Sequence, residues 1–166
     1  MAKAALRQLS LDEVLFIPTG APRYRKPPVA SAAHRLAMLE LALAGAPRCR
    51  IDGRELAPEA TGYTVDTLAA LQAEQPEVEL TLLIGADQHA KFEQWHRPRE
   101  IERLAEIAIF SRPGIAQETK RVRYVPMEPM PVSASEIRAR IARGEDVSAM
   151  LPAAVASYIK RHGLYS

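Results

Sequence analysis

The sequence predicts a single α/β domain spanning residues 1–166, built on a mainly parallel sheet with flanking helices. Two observations carry this. Short apolar runs alternate with stretches of helical spacing along the whole chain, and the most apolar run, residues 80–84, is almost continuous, as a strand covered on both faces requires. Punctuation agrees: the 13 prolines and 8 glycines fall mainly between those runs.

The elements follow in order. Residues 2–9 are good helix formers and read as the last turns of a helix leading into an apolar strand at 14–18. A basic, proline-rich loop comes next, with Arg23, Arg25 and Lys26 beside Pro22, Pro27 and Pro28. Ser31 is placed to cap a helix whose apolar positions Leu36, Leu39 and Leu43 recur at helical spacing until Gly45 and Pro47 stop it. A short strand is expected at 49–52, a polar loop at 53–62, and a helix from Val65 to about Glu74 capped by Thr64.

The strand at 80–84 ends in Gly85, Ala86 and Asp87. Pro98 suits a first helical position, and that helix leads into a strand at 107–110. A surface loop at 114–120 and a last strand at 122–125 follow, and Pro126, Pro129 and Pro131 keep the chain extended. Ser133 and Glu136 form a capping-box pattern that opens a helix closed by Gly144, and residues 152–162 make the terminal helix before Gly163.

Composition narrows the function. Hydrophobic residues are 48% and charged residues 25%, ordinary for a globular protein and unlike a disordered or disulfide-built one. The 22 Lys+Arg against 20 Asp+Glu leave a net charge of +2, gathered in no run, so small anions are better ligands than nucleic acid. The lone Cys49 cannot form an internal disulfide, and there is neither a membrane-length apolar run nor a signal-peptide pattern, which predicts a cytoplasmic protein without membrane partners. The four histidines lack zinc spacing, and no resident metal site is predicted. No dinucleotide fingerprint, P-loop or serine-hydrolase elbow occurs.

In an open parallel sheet, ligands sit beyond the carboxyl ends of the strands, so the residues there are the candidates. Ser133, Ser135 and Arg138 at a helix N-terminus combine free N–H groups, hydroxyls and a fixed charge, the makings of a phosphate cradle; capping and solvation are their plainer roles. Arg112 projects from a Pro-Gly turn, either toward a ligand or into solvent. Asp87 is placed to accept ribose hydroxyls, to help hold a metal-bound phosphate, or simply to cap a helix. Trp95, the single tryptophan, offers a surface for stacking on a base or a side chain for the core.

Taken together and in this order, these segments resemble bacterial nicotinate-nucleotide adenylyltransferases. The resemblance covers nearly the whole chain: 17–22, Arg35 with Met38 and Leu39, 62–68, 84–87, Trp95, 111–114, 132–138, and 151 through 165. It implies a Rossmann-like, doubly wound sheet and transfer of AMP from ATP to nicotinate mononucleotide, giving nicotinate adenine dinucleotide and pyrophosphate, with Mg²⁺ accompanying ATP. By position, it implies that Tyr63, Thr64 and Trp95 hold the nicotinate ring and that Asp87 and Arg112 lie near the nucleotides. Ser133, Ser135 and Arg138 would bind the ATP phosphates, with Ser135 and Arg138 acting in catalysis. Ser135 stands where the family often has threonine, and Tyr24 where a histidine or another polar residue is common.

The family pattern opens with a strand, a glycine-rich turn and a His-x-Gly-His signature, and Met1 falls where the following helix is already under way. The expectation is therefore of a central strand missing from this chain and of a leading segment before Met1, with no residue here taking the part of those histidines. A nucleotide-binding module without transferase activity is the rival reading. A third keeps the transferase fold with another acceptor, such as phosphopantetheine or nicotinamide mononucleotide. Self-association is left open.

Overall fold

The computed structural model describes residues 1–20, 28–111, 122–127 and 133–166. The elements are α1 (Ala2–Gln8), β1 (Val14–Phe16), α2 (Ala32–Leu43), β2 (Cys49–Ile51), α3 (Thr64–Glu74), β3 (Thr81–Gly85), α4 (Ala86–His89), α5 (Pro98–Leu104), β4 (Glu106–Ser111), β5 (Val122–Pro126), α6 (Ala134–Ala142) and α7 (Ala153–Arg161). Single 3₁₀ turns lie at Arg54–Leu56, Phe92–Gln94 and Ser148–Met150. The alternation of strand and helix is the one expected, and the fold is α/β with flanking helices.

The described strands form two sheets, β1–β2 and β3–β4–β5. The larger one is parallel throughout, with Ile84 opposite Ile109 and Ile109 opposite Tyr124. By its contacts the chain divides into two compact units. The first is Met1–Val14 with Glu59–Pro129; the second is Leu15–Pro58 with Met130–Ser166.

The first unit holds the main core. Ile84 of β3 and Ile107 and Ile109 of β4 meet Val65 and Leu68 of α3, Phe92, Ile101 of α5 and Ala105. Val65 and Ile101 are fully enclosed, at 0% exposure. The near-continuous apolar character of β4 follows, because a middle strand with helices against it has no wet face. Pro98 occupies the start of α5 as expected.

In the second unit α2 packs on α7 and on β2. Ser31 caps α2, its hydroxyl accepting the His34 N–H at 3.3 Å. Val155 and Ile159, one turn apart on α7, are buried.

Three expectations shift. β1 ends at Phe16, two residues short, with Pro18 beyond it. The loop at 53–62 contains a helical turn, Arg54–Leu56. Thr64 does not cap α3: it is the first helical residue, Tyr63 is the cap, and no side chain bonds there. Instead Thr61 Oγ1 accepts the Tyr63 N–H at 3.2 Å and donates to Asp66 Oδ2 at 2.6 Å, so the hydroxyl that orders this end lies three residues earlier than the pattern indicates. No helix among the described residues is long and apolar enough to cross a membrane.

Candidate active site

The candidates fall into two groups, one in each unit. In the first unit Tyr63 and Thr64 open α3, Asp87 lies in the first turn of α4 directly after β3, and Trp95 follows the Phe92–Gln94 turn. Asp87 is exposed at the carboxyl end of β3, the side of a parallel sheet on which ligands generally bind. Its Oδ2 accepts from Gln88 at 3.1 Å.

Trp95 is half-buried against the core, with the Phe92 ring 5.5 Å away at 50°. Of the two sequence readings, the structure bears on the core one: the residue packs against the core without being enclosed by it. Tyr63 packs on the same core, and its ring stacks on His96 at 4.3 Å and 28°.

The backbone that sets Trp95 and His96 is unusual. Arg97, directly before Pro98, adopts φ 54°, ψ 55°, a left-handed conformation disfavoured for a residue with a Cβ. Its guanidinium reaches Glu100 at 2.5 Å and Asp66 at 3.7 Å, tying the start of α5 to the start of α3. The pairs are partly exposed and individually weak, yet they join the segments that carry Tyr63 and Trp95.

In the second unit Ser133, Ser135 and Arg138 come together on the first turns of α6. Ser133 caps the helix, its hydroxyl accepting the Glu136 N–H at 3.1 Å, and its carbonyl accepts the Ile137 N–H at 3.0 Å. The first N–H groups of a helix, here those of Ala134 and Ser135, have no partner within the helix itself. Residues 133–136 are exposed, so the positive end of the helix dipole faces outward. Only half of the capping box is seen, since the Glu136 carboxylate takes Arg140 Nε at 2.8 Å.

The arginines of α6 differ in their partners. Arg140 and Arg143 face Glu136 and Glu145, and the hydrogen bond from Arg143 holds the Glu145 carboxyl below its usual range while raising that of Arg143. Among the described residues, the partner of Arg138 is the Ser135 hydroxyl at 3.2 Å and not a carboxylate. No carboxylate among the described residues offsets its charge, and it sits one turn from the first N–H groups of the helix, an arrangement suited to a phosphate oxygen.

Arg112 lies outside the described residues, as do Arg23, Tyr24, Arg25 and Lys26 of the basic loop. His96, to which the sequence analysis assigns no role, is exposed and stacks on Tyr63. The only signal was its position next to Trp95. Sequence reasoning also missed that His34 is half-buried, with Nδ1 2.9 Å from the Tyr158 hydroxyl. Among the described residues no group of three His, Cys, Asp or Glu could hold a metal ion.

Residues 1–140 match the family described as cytidylyltransferase-like. A probable nicotinate-nucleotide adenylyltransferase of Laribacter hongkongensis is 41% identical over 189 residues, covering 99% of this chain and 86% of that protein. One of Bordetella petrii is 41% identical over 177 residues, covering 99% and 89%. Among solved structures, Plasmodium falciparum nicotinic acid mononucleotide adenylyltransferase complexed with NaAD is similar in fold, with a TM-score of 0.80 at 14% identity, covering 98% of this chain and 89% of that one.

Proposed function

Because this chain belongs to the nicotinate-nucleotide adenylyltransferases, within the cytidylyltransferase-like family, we propose roles in adenylyl transfer for the candidate residues named above. The enzyme joins the AMP part of ATP to nicotinate mononucleotide in NAD biosynthesis. A 5′-phosphate oxygen of the mononucleotide attacks the α-phosphorus of ATP; the new P–O bond forms as the bond to the β-phosphate bridging oxygen breaks, and pyrophosphate leaves. No covalent intermediate on the protein is needed, so catalysis is positioning plus charge stabilisation.

Trp95 stacks on the nicotinate ring, with Tyr63 and Thr64 beside it, and Asp87 accepts ribose hydroxyls. The Ala134 and Ser135 N–H groups, the Ser133 and Ser135 hydroxyls and the Arg138 guanidinium receive ATP phosphates; Arg138 and Ser135 stabilise the charge that shifts onto the leaving oxygens. Arg112 is assigned to the nucleotides as well. Mg²⁺ enters as part of the ATP substrate, held by phosphate oxygens and water as is usual for this ion. The cytoplasm, where both nucleotides are available, is the proposed location.

The observation that carries this reading is the exposed first turn of α6, with Arg138 hydrogen-bonded to a hydroxyl and uncompensated by a carboxylate among the described residues. Pyrophosphate release with Mg²⁺-ATP, run with nicotinate mononucleotide, nicotinamide mononucleotide and phosphopantetheine in turn, tests it, together with quenching of Trp95 fluorescence. Release with the nicotinate acceptor and quenching by it are expected. Quenching and heat of binding without pyrophosphate would instead identify a nucleotide-binding module, and release with another acceptor alone would move the specificity.

A further inference from the structure

The second unit contains a constraint that none of the roles above uses. Two adjacent residues of α2 leave the helix in different directions: His34 meets Tyr158 of α7, and Arg35 Nη2 donates at 2.9 Å to the carbonyl of Gly20, just past β1. Gly20 is also held through its own N–H, which donates to the Glu55 carbonyl at 2.8 Å. A Cβ on Gly20 would run into that same carbonyl, so the approach is open to glycine alone.

Glu55 is itself fixed. It lies in the turn Arg54–Leu56, whose start is ordered by Asp52: one carboxylate oxygen accepts the Arg54 N–H at 2.8 Å and the other accepts Arg54 Nε at 2.7 Å. Both polar groups of the Gly20 backbone are thus gripped, the N–H from one side and the carbonyl by a guanidinium from the other. A neutral hydrogen bond would serve to hold a surface turn. Here a cation is brought in from α2, and its Nε is buried with no hydrogen-bond partner among the described residues. Orphaned buried donors are uncommon, and local rules are broken mostly where function demands a fixed geometry.

We infer that Arg35 is a positioning residue for nucleotide binding, which acts through the Gly20 carbonyl to hold the turn at the carboxyl end of β1 in its ligand-receiving form. The inference rests on the adenylyl-transfer reading, since it is the nucleotide that the turn receives. Arg35 itself touches no substrate.

Amide hydrogen exchange at Gly20, with calorimetric titration of Mg²⁺-ATP and of nicotinate mononucleotide separately, tests this on the full chain and on Arg35→Ala and Arg35→Lys. All titrations are made below the melting point of every variant. Arg35→Ala speeds Gly20 exchange and weakens one of the two nucleotides, each by about tenfold, the usual consequence of losing one charge-assisted hydrogen bond. Arg35→Lys, which keeps a cationic donor, recovers most of both. If Arg35→Ala does not fold, Arg35→Met keeps the apolar stem, removes the donor and carries the same comparison. Unchanged Gly20 exchange overturns the inference, and so does faster exchange with both affinities at the wild-type level. A wild-type chain that binds neither nucleotide sinks the transfer reading instead, an outcome seen before any substitution is made.

Discussion

At the scale of single residues, Arg138 is the sharpest case. Among the described residues its charge is met by one hydroxyl, whereas Arg140 and Arg143 on the same helix face carboxylates. Arg138→Ala lowers turnover at least tenfold, about 1.4 kcal/mol of transition-state stabilisation, while Arg143→Ala changes it little; steady-state pyrophosphate release checks both. Asp52 supplies a second prediction. The Arg54 hydrogen bond lowers its carboxyl pKa from the ordinary 3.8. The pair therefore stabilises the fold fully above pH 3.8, and that contribution is lost as pH falls through the lowered value. Asp52→Asn melts below wild type at neutral pH, and the gap closes in strong acid when melting curves are recorded across that range. The Ser133 cap was legible in the sequence because its partner is three residues away. The His34 contact to Tyr158 was not, because the two residues are 124 positions apart and only tertiary packing joins them.

At the scale of elements, the patterns that worked were those with a local physical cause. Pro98 opened α5 and Ser133 opened α6 because ring geometry and a short hydroxyl select those positions whatever surrounds them. The start of α3 failed for the same kind of reason: Thr61 and Thr64 both carry the right group, and only the folded chain decides which one is used. The turn Arg54–Leu56 was read as plain loop, since one helical turn has too few residues to show a period. Gly20→Ala tests the element that this turn supports. The added methyl meets the Glu55 carbonyl, which is backbone and cannot swing aside, so the variant loses about 1–3 kcal/mol in urea unfolding.

At the scale of the whole molecule, the α/β class was legible because a parallel strand covered by helices must be apolar along its length, and residues 80–84 and 107–110 are. The partition into two compact units was not legible, because it depends on which distant segments pack together. Ile101 measures how far the first unit relies on its core: fully enclosed beneath the sheet, it costs about 2–5 kcal/mol when cut to alanine, read as a drop in the denaturant midpoint. The partition also bears on synthesis. Residues 59–129 form a contiguous stretch in which β3, β4 and β5 pair in the order they leave the ribosome, so most of the first unit can assemble while translation continues. The second unit has no such freedom: α2 is made long before α7, the helix it rests on, and until α7 emerges its half-apolar surface is a natural client for a chaperone.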